Sequence, residues 1–162
     1  MGNTYGGPVP AARRRILLVS SSGGVLLDLL AVAPWWRRHE ARWVAVSAPD
    51  TRELLAGERV VWQPELRPPQ LGVVLAAALR ARRMLRAERI EVVVSAGSGI
   101  AVPWFLAARS VGVRSIWITT LNVVGRPGLA GRLCSALASQ VVVQHPHLLA
   151  RYRRAVCVGE LY

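Results

Sequence analysis

A chain of 162 residues with 52% hydrophobic side chains is sized for one domain with one sizeable core, which excludes intrinsic disorder. The formal net charge is +12, carried by arginine alone, because lysine is absent. So basic and apolar a chain is drawn to anionic lipid or nucleic acid, and no helix-turn-helix, zinc or RNA-recognition signature supports the second partner.

In chain order, Met1 to Ala12 is rich in Gly, Pro and small residues and is expected to form a loose arm. A strand is expected at Ile16–Ser20, a helix at Val25–Trp36, a strand at Trp43–Ser47 and a helix at Thr51–Ala56. Strand Val60–Trp62, helix Gln70–Ala87, strand Glu91–Ser95 and helix Ile100–Val111 follow. Strand Ser115–Ile118, helix Leu129–Leu137, strand Val141–Gln144, helix His147–Tyr152 and strand Ala155–Val158 complete the series. Unbroken apolar runs such as Val92–Val94 and Val141–Val143 suit strands buried on both faces of a parallel sheet. Their alternation with helices defines βαβ units, hence one Rossmann-like α/β domain over residues 13–162 with a mostly parallel sheet.

Cys134 and Cys157 match no zinc or redox spacing, and free thiols are the default. His39, His145 and His147 make no metal cluster, since the last two flank Pro146 in a loop-like segment. Asp50 in "APDT" reads as a helix cap.

The stretch "RRRILLVSSSGGVLLDLLAVAPWW" has the layout of a signal peptide, with basic residues, an apolar run and the small-residue site Ala31-Val32-Ala33. Asp28 interrupts the apolar run, Pro34 hinders cleavage after Ala33, and Gly23-Gly24 splits the run into a strand-like and a helix-like half. Asp28 also weighs against a membrane span. The stretch is therefore read as strand, turn Ser21–Gly24 and helix, with no cleaved signal. A glycine turn that opens a helix brings backbone N–H groups and the positive end of the helix dipole to an anion. Such turns often only turn, and the third glycine of a dinucleotide fingerprint is missing. The logic repeats at "VVVSAGSGIAVPWF", where Ala96–Gly99 opens the next helix. Two such turns at the C-terminal ends of parallel strands converge on the crevice where open α/β sheets bind ligands.

The segments "ILLVSSSGG", "TRELLAGERVVW", "VVVSAGSGIAVPWFLAAR", "RPGLAGRL" and "VVVQHPHLLARYRRAVCVGELY" follow in order along almost the whole chain. They resemble the acceptor-side, membrane-associated subunit of the two-part N-acetylglucosaminyltransferases of lipid-linked oligosaccharide and exopolysaccharide biosynthesis. The likeness extends to the N-terminal half of the lipid-linked N-acetylglucosaminyltransferase of peptidoglycan synthesis. It implies the N-terminal half of a GT-B glycosyltransferase, with the UDP-sugar held by a separate small donor-binding subunit. It also implies a lipid diphosphate-linked acceptor and a peripheral place on the cytoplasmic face of the cell membrane; no cofactor and no metal are expected. On this resemblance Ser21, Ser22, Gly23, Gly24, Gly97, Ser98 and Gly99 lie against the acceptor diphosphate. Thr119, Thr120 and Asn122 are sugar-contact positions, for which ordinary strand-end polarity is the competing reading. Three positions depart from the family. Val25 stands for the histidine of its Gly-Gly-His turn, and Thr119 and Val123 stand for a Glu and an Arg after the fifth strand. No catalytic residue is assigned, and a catalytically degenerate scaffold or regulatory paralogue is the alternative.

Gln70 to Arg89 joins an apolar half to an arginine-dense half, with Leu71, Val74, Leu75, Ala78, Leu79, Met84 and Leu85 at helical spacing. The pattern fits a core-facing helix with a basic outer face and equally an interfacial helix on anionic lipid. Trp35-Trp36 before Arg37-Arg38 suits either a headgroup zone or a helix end packed on a sheet. Trp104, Phe105, Leu161 and Tyr162 are candidates for a partner interface, with core packing favoured for the first two.

Overall fold

The strands carry the burial that their apolar runs predict. Strands β1 (Arg15–Ser20), β2 (Glu40–Val46), β3 (Val60–Gln63), β4 (Val92–Ser95), β5 (Arg114–Ile118), β6 (Gln140–Val143) and β7 (Ala155–Cys157) form one sheet in the order β3-β2-β1-β4-β5-β6-β7. Every pairing is parallel. The computed structural model describes residues 12–65, 71–119 and 128–159. All seven expected strands are present within it, shifted by no more than three residues at an end. The expected loose arm lies, apart from Ala12, outside the described residues.

The strand order places the topological switch between β1 and β4. From β1 the chain winds outward to β2 and β3, then returns to β4 and winds the other way. Parallel neighbours need crossovers, and the helices that provide them lie on both faces. Helices α1 (Gly24–Ala31) and α2 (Ala33–Trp36) pack Leu26, Leu29 and Trp36 on Ile16, Leu18, Trp43 and Val94. Leu55, just past α3 (Pro49–Leu54), joins that core. On the other face α4 (Leu71–Ala87), α5 (Ala101–Val111) and α6 (Leu129–Leu137) close over Leu17, Val19, Val93, Trp117 and Val141. Both Trp104 and Phe105 are core residues of α5, and the Phe105 ring stands edge-on to Trp117 at 5.7 Å. Leu161 and Tyr162 lie outside the described residues.

Two expected helices differ in form. The single helix expected over Val25–Trp36 breaks at Val32, and Pro34, without an N–H to donate, sits in the first turn of the short α2. The break lets Trp36 turn inward, where its indole N–H donates to Leu29 O at 2.8 Å and its ring meets Trp43 edge-on. Trp36 is thus a sheet-packing residue, whereas Trp35 is partly exposed and packs its ring edge-on to His39. The expected helix over His147–Tyr152 is a 3-10 helix at Pro146–Arg151, a tighter form suited to so short a piece. The rings of His145 and His147 stack across Pro146 at 5.4 Å.

Helix α4 carries two apolar stripes. Ala78, Ala81 and Leu85, spaced for one face, are buried under α5. Leu71, Leu75 and Leu79, spaced four apart, are 83%, 63% and 52% exposed. The core reading of this helix therefore holds for one stripe only. No helix among the described residues is long and apolar enough to cross a membrane.

Candidate functional site

Apart from Asp28 within α1 and Ser115 near the start of β5, the polar side chains buried among the described residues gather where the strands end. Ser20 ends β1 and Ser21 follows it, Ser95 ends β4, and Thr119 and Gln144 follow β5 and β6 directly, all of them buried. In a parallel sheet these ends share one edge, and the helix N-termini of the βα units meet there.

The first turn follows β1. The Ser20 hydroxyl donates to Ser21 O at 2.7 Å, and the Ser21 hydroxyl donates to Ser22 O at 3.3 Å. Gly23 has φ +71° and ψ −139°, a conformation that a side chain would strain, and this is where the chain leaves the strand line to enter α1. Gly24 and Val25 then open α1, and helix geometry makes no use of their N–H groups. Ser22, Gly23 and Gly24 are exposed.

The second turn follows β4. The Ser95 hydroxyl donates to Gly97 O at 3.1 Å and accepts the Gly97 N–H at 3.3 Å, which folds the turn back on its strand. Ser98 has φ +78°, uncommon for a non-glycine residue and a mark of local strain. Ser98 and Gly99 are half-buried and lead into α5.

The two turns are in contact. A Cβ placed on Gly97 would lie 2.8 Å from Val25 Cγ2, so the valine packs directly on the bare Cα of the second turn. Glycine is needed at 97 because Val25 occupies the space of a side chain. The structure thus brings together the seven residues expected to face a diphosphate, in two turns joined by an apolar wedge. Thr119 also reaches this edge, but its hydroxyl donates to Val142 O at 3.1 Å and extends the sheet. Thr120, Asn122 and Val123 lie outside the described residues.

Two residues to which sequence reasoning gave no place in this site stand at its edge. Gln144 donates its side-chain N–H to Thr119 O at 3.2 Å, and its Oε1 has no partner among the described residues. Asp50 does not cap its own helix. Thr51 does so, accepting the Ala48 N–H at 2.9 Å, while Asp50 Oδ2 accepts the Gly23 N–H at 3.1 Å across 27 residues of chain. The cap reading of Asp50 fails because a buried threonine one residue later fills that role. Chain spacing alone could not show the link to Gly23, which depends on β1 and β2 lying side by side.

The cysteines are free. Burial pushes the Cys134 thiol up to about 12, which keeps it protonated and inert at neutral pH.

The strand order, the parallel register and the glycine turns at the switch point define the Rossmann-like domain that forms the N-terminal half of GT-B enzymes. Solved structures agree. MurG of Acinetobacter baumannii superposes with a TM-score of 0.67 over 82% of this chain and 42% of its own, at 20% identity. UDP-N-acetylglucosamine 2-epimerase of Rickettsia bellii gives 0.68 over 93% and 46%, at 12% identity. Likeness at such identities concerns the fold.

Sequence comparison points more narrowly. A 70-residue segment is 43% identical to the UDP-N-acetylglucosamine--N-acetylmuramyl-(pentapeptide) pyrophosphoryl-undecaprenol N-acetylglucosamine transferase of Parasynechococcus marenigrum (strain WH8102), covering 43% of this chain and 20% of the relative. The transferase of the same name from Synechococcus sp. (strain JA-2-3B'a(2-13)) is 34% identical over 135 residues, 76% of this chain and 36% of the relative. The chain thus spans between a fifth and somewhat over a third of the length of these curated relatives. No protein-family model matches it.

Proposed function

We propose that this chain is the acceptor-side half of a glycosyltransferase that moves an N-acetylglucosamine-like sugar from a UDP-sugar to a lipid diphosphate-linked acceptor. The observation that carries the reading is the contact between the two glycine turns at the β1/β4 switch point. It sets two backbone-lined turns side by side at the edge where parallel sheets bind ligands. The relatives' names supply the chemistry: a UDP-sugar donor and a pyrophosphoryl-lipid acceptor. In this reading the turns Ser21, Ser22, Gly23 and Gly24, and Gly97, Ser98 and Gly99, lie against the acceptor diphosphate; the Gly23 N–H, the Gly97 N–H and the Ser21 hydroxyl already have partners, so the N–H groups that open α1 are the donors that hold it. The UDP-sugar is held by a donor-binding half, here a separate small subunit, as in polysaccharide biosynthesis by two-part enzymes.

The exposed face of α4 supports peripheral membrane attachment. Its exposed row Leu71, Leu75 and Leu79 lies toward the ligand-binding edge, and Arg82, Arg83 and Arg86 continue the helix away from it. An apolar row with arginines behind it suits shallow insertion into an anionic leaflet on the cytoplasmic side, beside an acceptor that is itself a lipid.

The second reading, a catalytically degenerate scaffold of the same fold, is favoured by Val25 and Thr119. The first is an apolar wedge and the second spends its hydroxyl on the sheet, so neither takes a proton from an acceptor. Membranes from cells that co-express this chain with a small donor-binding subunit of a two-part UDP-sugar transferase decide between them. Radiolabel passing from UDP-N-acetylglucosamine into a diphosphate-linked lipid, and lost without this chain, supports the transferase. Stable pairing of the two proteins with no transfer from any UDP-sugar supports the scaffold.

A further inference from the structure

We infer that Asp50 is the proton acceptor of the transfer reaction, an assignment that rests on the transferase reading above. The position of this carboxylate is built in. Thr51 is fully buried, and its hydroxyl donates toward Val46 O at 2.6 Å and Ala48 O at 2.8 Å while accepting the Ala48 N–H. These bonds fix the start of α3 to the end of β2. β2 runs beside β1 in register, Ser20 opposite Ala45, so α3 begins next to the first glycine turn. Asp50 is therefore carried to Gly23, whose φ of +71° aims an N–H that Oδ2 accepts at 3.1 Å.

The carboxylate is held without being neutralised. Arg52, the nearest cation on α3, uses its Nε on Ser47 Oγ at 3.0 Å and lies over the Trp62 ring at 5.5 Å. Asp50 forms no ion pair among the described residues, and its Oδ1 makes no hydrogen bond there. One oxygen of this exposed residue is thus clamped by the glycine turn. Asp50 brings a carboxylate directly onto the first glycine turn.

Sugar transfer needs such a group. The acceptor hydroxyl oxygen forms a bond to the anomeric carbon of the UDP-sugar. The bond from that carbon to the UDP phosphate oxygen breaks, and its electron pair leaves with UDP. The hydroxyl proton passes to Asp50 Oδ1 and later to water. Val25 has no lone pair to offer, and the Thr119 hydroxyl is already a donor to Val142 O. Asp50 thus supplies the function missing at the positions where the family resemblance looks for it.

Asp50→Asn keeps an oxygen for the Gly23 N–H and removes the base. In the chain assembled with its donor-binding half, this variant is expected to lose about 100- to 10,000-fold in kcat, with acceptor KM within about threefold. Asp50→Ala is expected to lose as much and to recover about tenfold or more on addition of formate, a carboxylate small enough for the vacated position. Wild-type transfer with Asp50→Asn at full kcat would overturn the assignment and leave the transferase standing. A rise in KM at unchanged kcat would likewise overturn it, making Asp50 only a clamp on the turn. Should Asp50→Asn not fold, a folded Asp50→Ala that formate does not revive overturns the assignment. If the wild-type assembly transfers no sugar, the transferase reading and this assignment fall together.

Discussion

The contact between Val25 and Gly97 predicts a specific rescue. Alanine at position 97 places a Cβ 2.8 Å from Val25 Cγ2, well inside contact distance. The valine cannot swing away, because a β-branched side chain in a helix is confined to essentially one rotamer. The backbone at Gly97 is otherwise open to alanine, which alone would stabilise by about 0.4–1 kcal/mol through the unfolded chain. Overpacking costs about 1–3 kcal/mol, so Gly97→Ala should be destabilised on balance by about 1–2 kcal/mol. For a chain of this size that is a fall of roughly 2–8 °C in Tm. Val25→Ala alone, which removes methyl groups from a half-buried site, should cost about 1 kcal/mol. The double variant should lie at least about 1 kcal/mol above the sum of the two losses, because the new methyl then fills the space the valine left. Urea unfolding of the four proteins measures the cycle. Additivity within about 0.5 kcal/mol would show that the two turns do not touch, and would refute the joined-turn geometry.

Thr51→Val removes a buried hydroxyl that serves three backbone groups, and should cost about 1–3 kcal/mol in urea unfolding. Replacing Arg82, Arg83 and Arg86 by Gln should weaken sedimentation with phosphatidylglycerol vesicles by about 100-fold at low salt, at about 1 kcal/mol per arginine. Leu75→Ser with Leu79→Ser should weaken it in high salt as well, where the arginine contribution is screened. Cys134 is protonated in the fold up to about pH 12 and has an ordinary pKa of 9.0 when unfolded. Its contribution to stability is therefore complete below pH 9 and is lost as pH rises toward 12, and Cys134→Ala should flatten that alkaline decline. A thiol reagent at pH 8 should label half-buried Cys157 in the native protein and reach Cys134 only in urea.

Much of the fold is legible in the sequence because burial on both faces forces continuous apolar strands, and crossovers force helices between them. The runs at Val92–Val94 and Val141–Val143 needed no further cue. The break in the first helix was legible in kind, since Pro34 is written there, but not in consequence. That Trp36 turns onto Trp43 depends on the sheet beneath it. The α4 leucines show the limit of periodicity. A helix with one stripe on α5 and a second in solvent has the same spacing as a helix with one broad core face, and only the packing separates them. At the site, the two turns were legible because glycine and serine after a strand carry their own chemistry. The links between elements were not. Val25 on Gly97 and Asp50 on Gly23 join residues that only the strand order makes neighbours, and Gln144 gains meaning only from Thr119 on the adjacent strand.

The central claim is that the two glycine turns hold the diphosphate of a lipid-linked acceptor. It is tested most directly by calorimetric titration of this chain with a short-chain, water-soluble polyprenyl-diphosphate sugar. Saturable binding that is lost when a monophosphate replaces the diphosphate, and lost again in folded Gly24→Trp, is the predicted result. Equal binding by the Gly24→Trp variant, or no binding of the diphosphate by the folded wild-type chain, would contradict it.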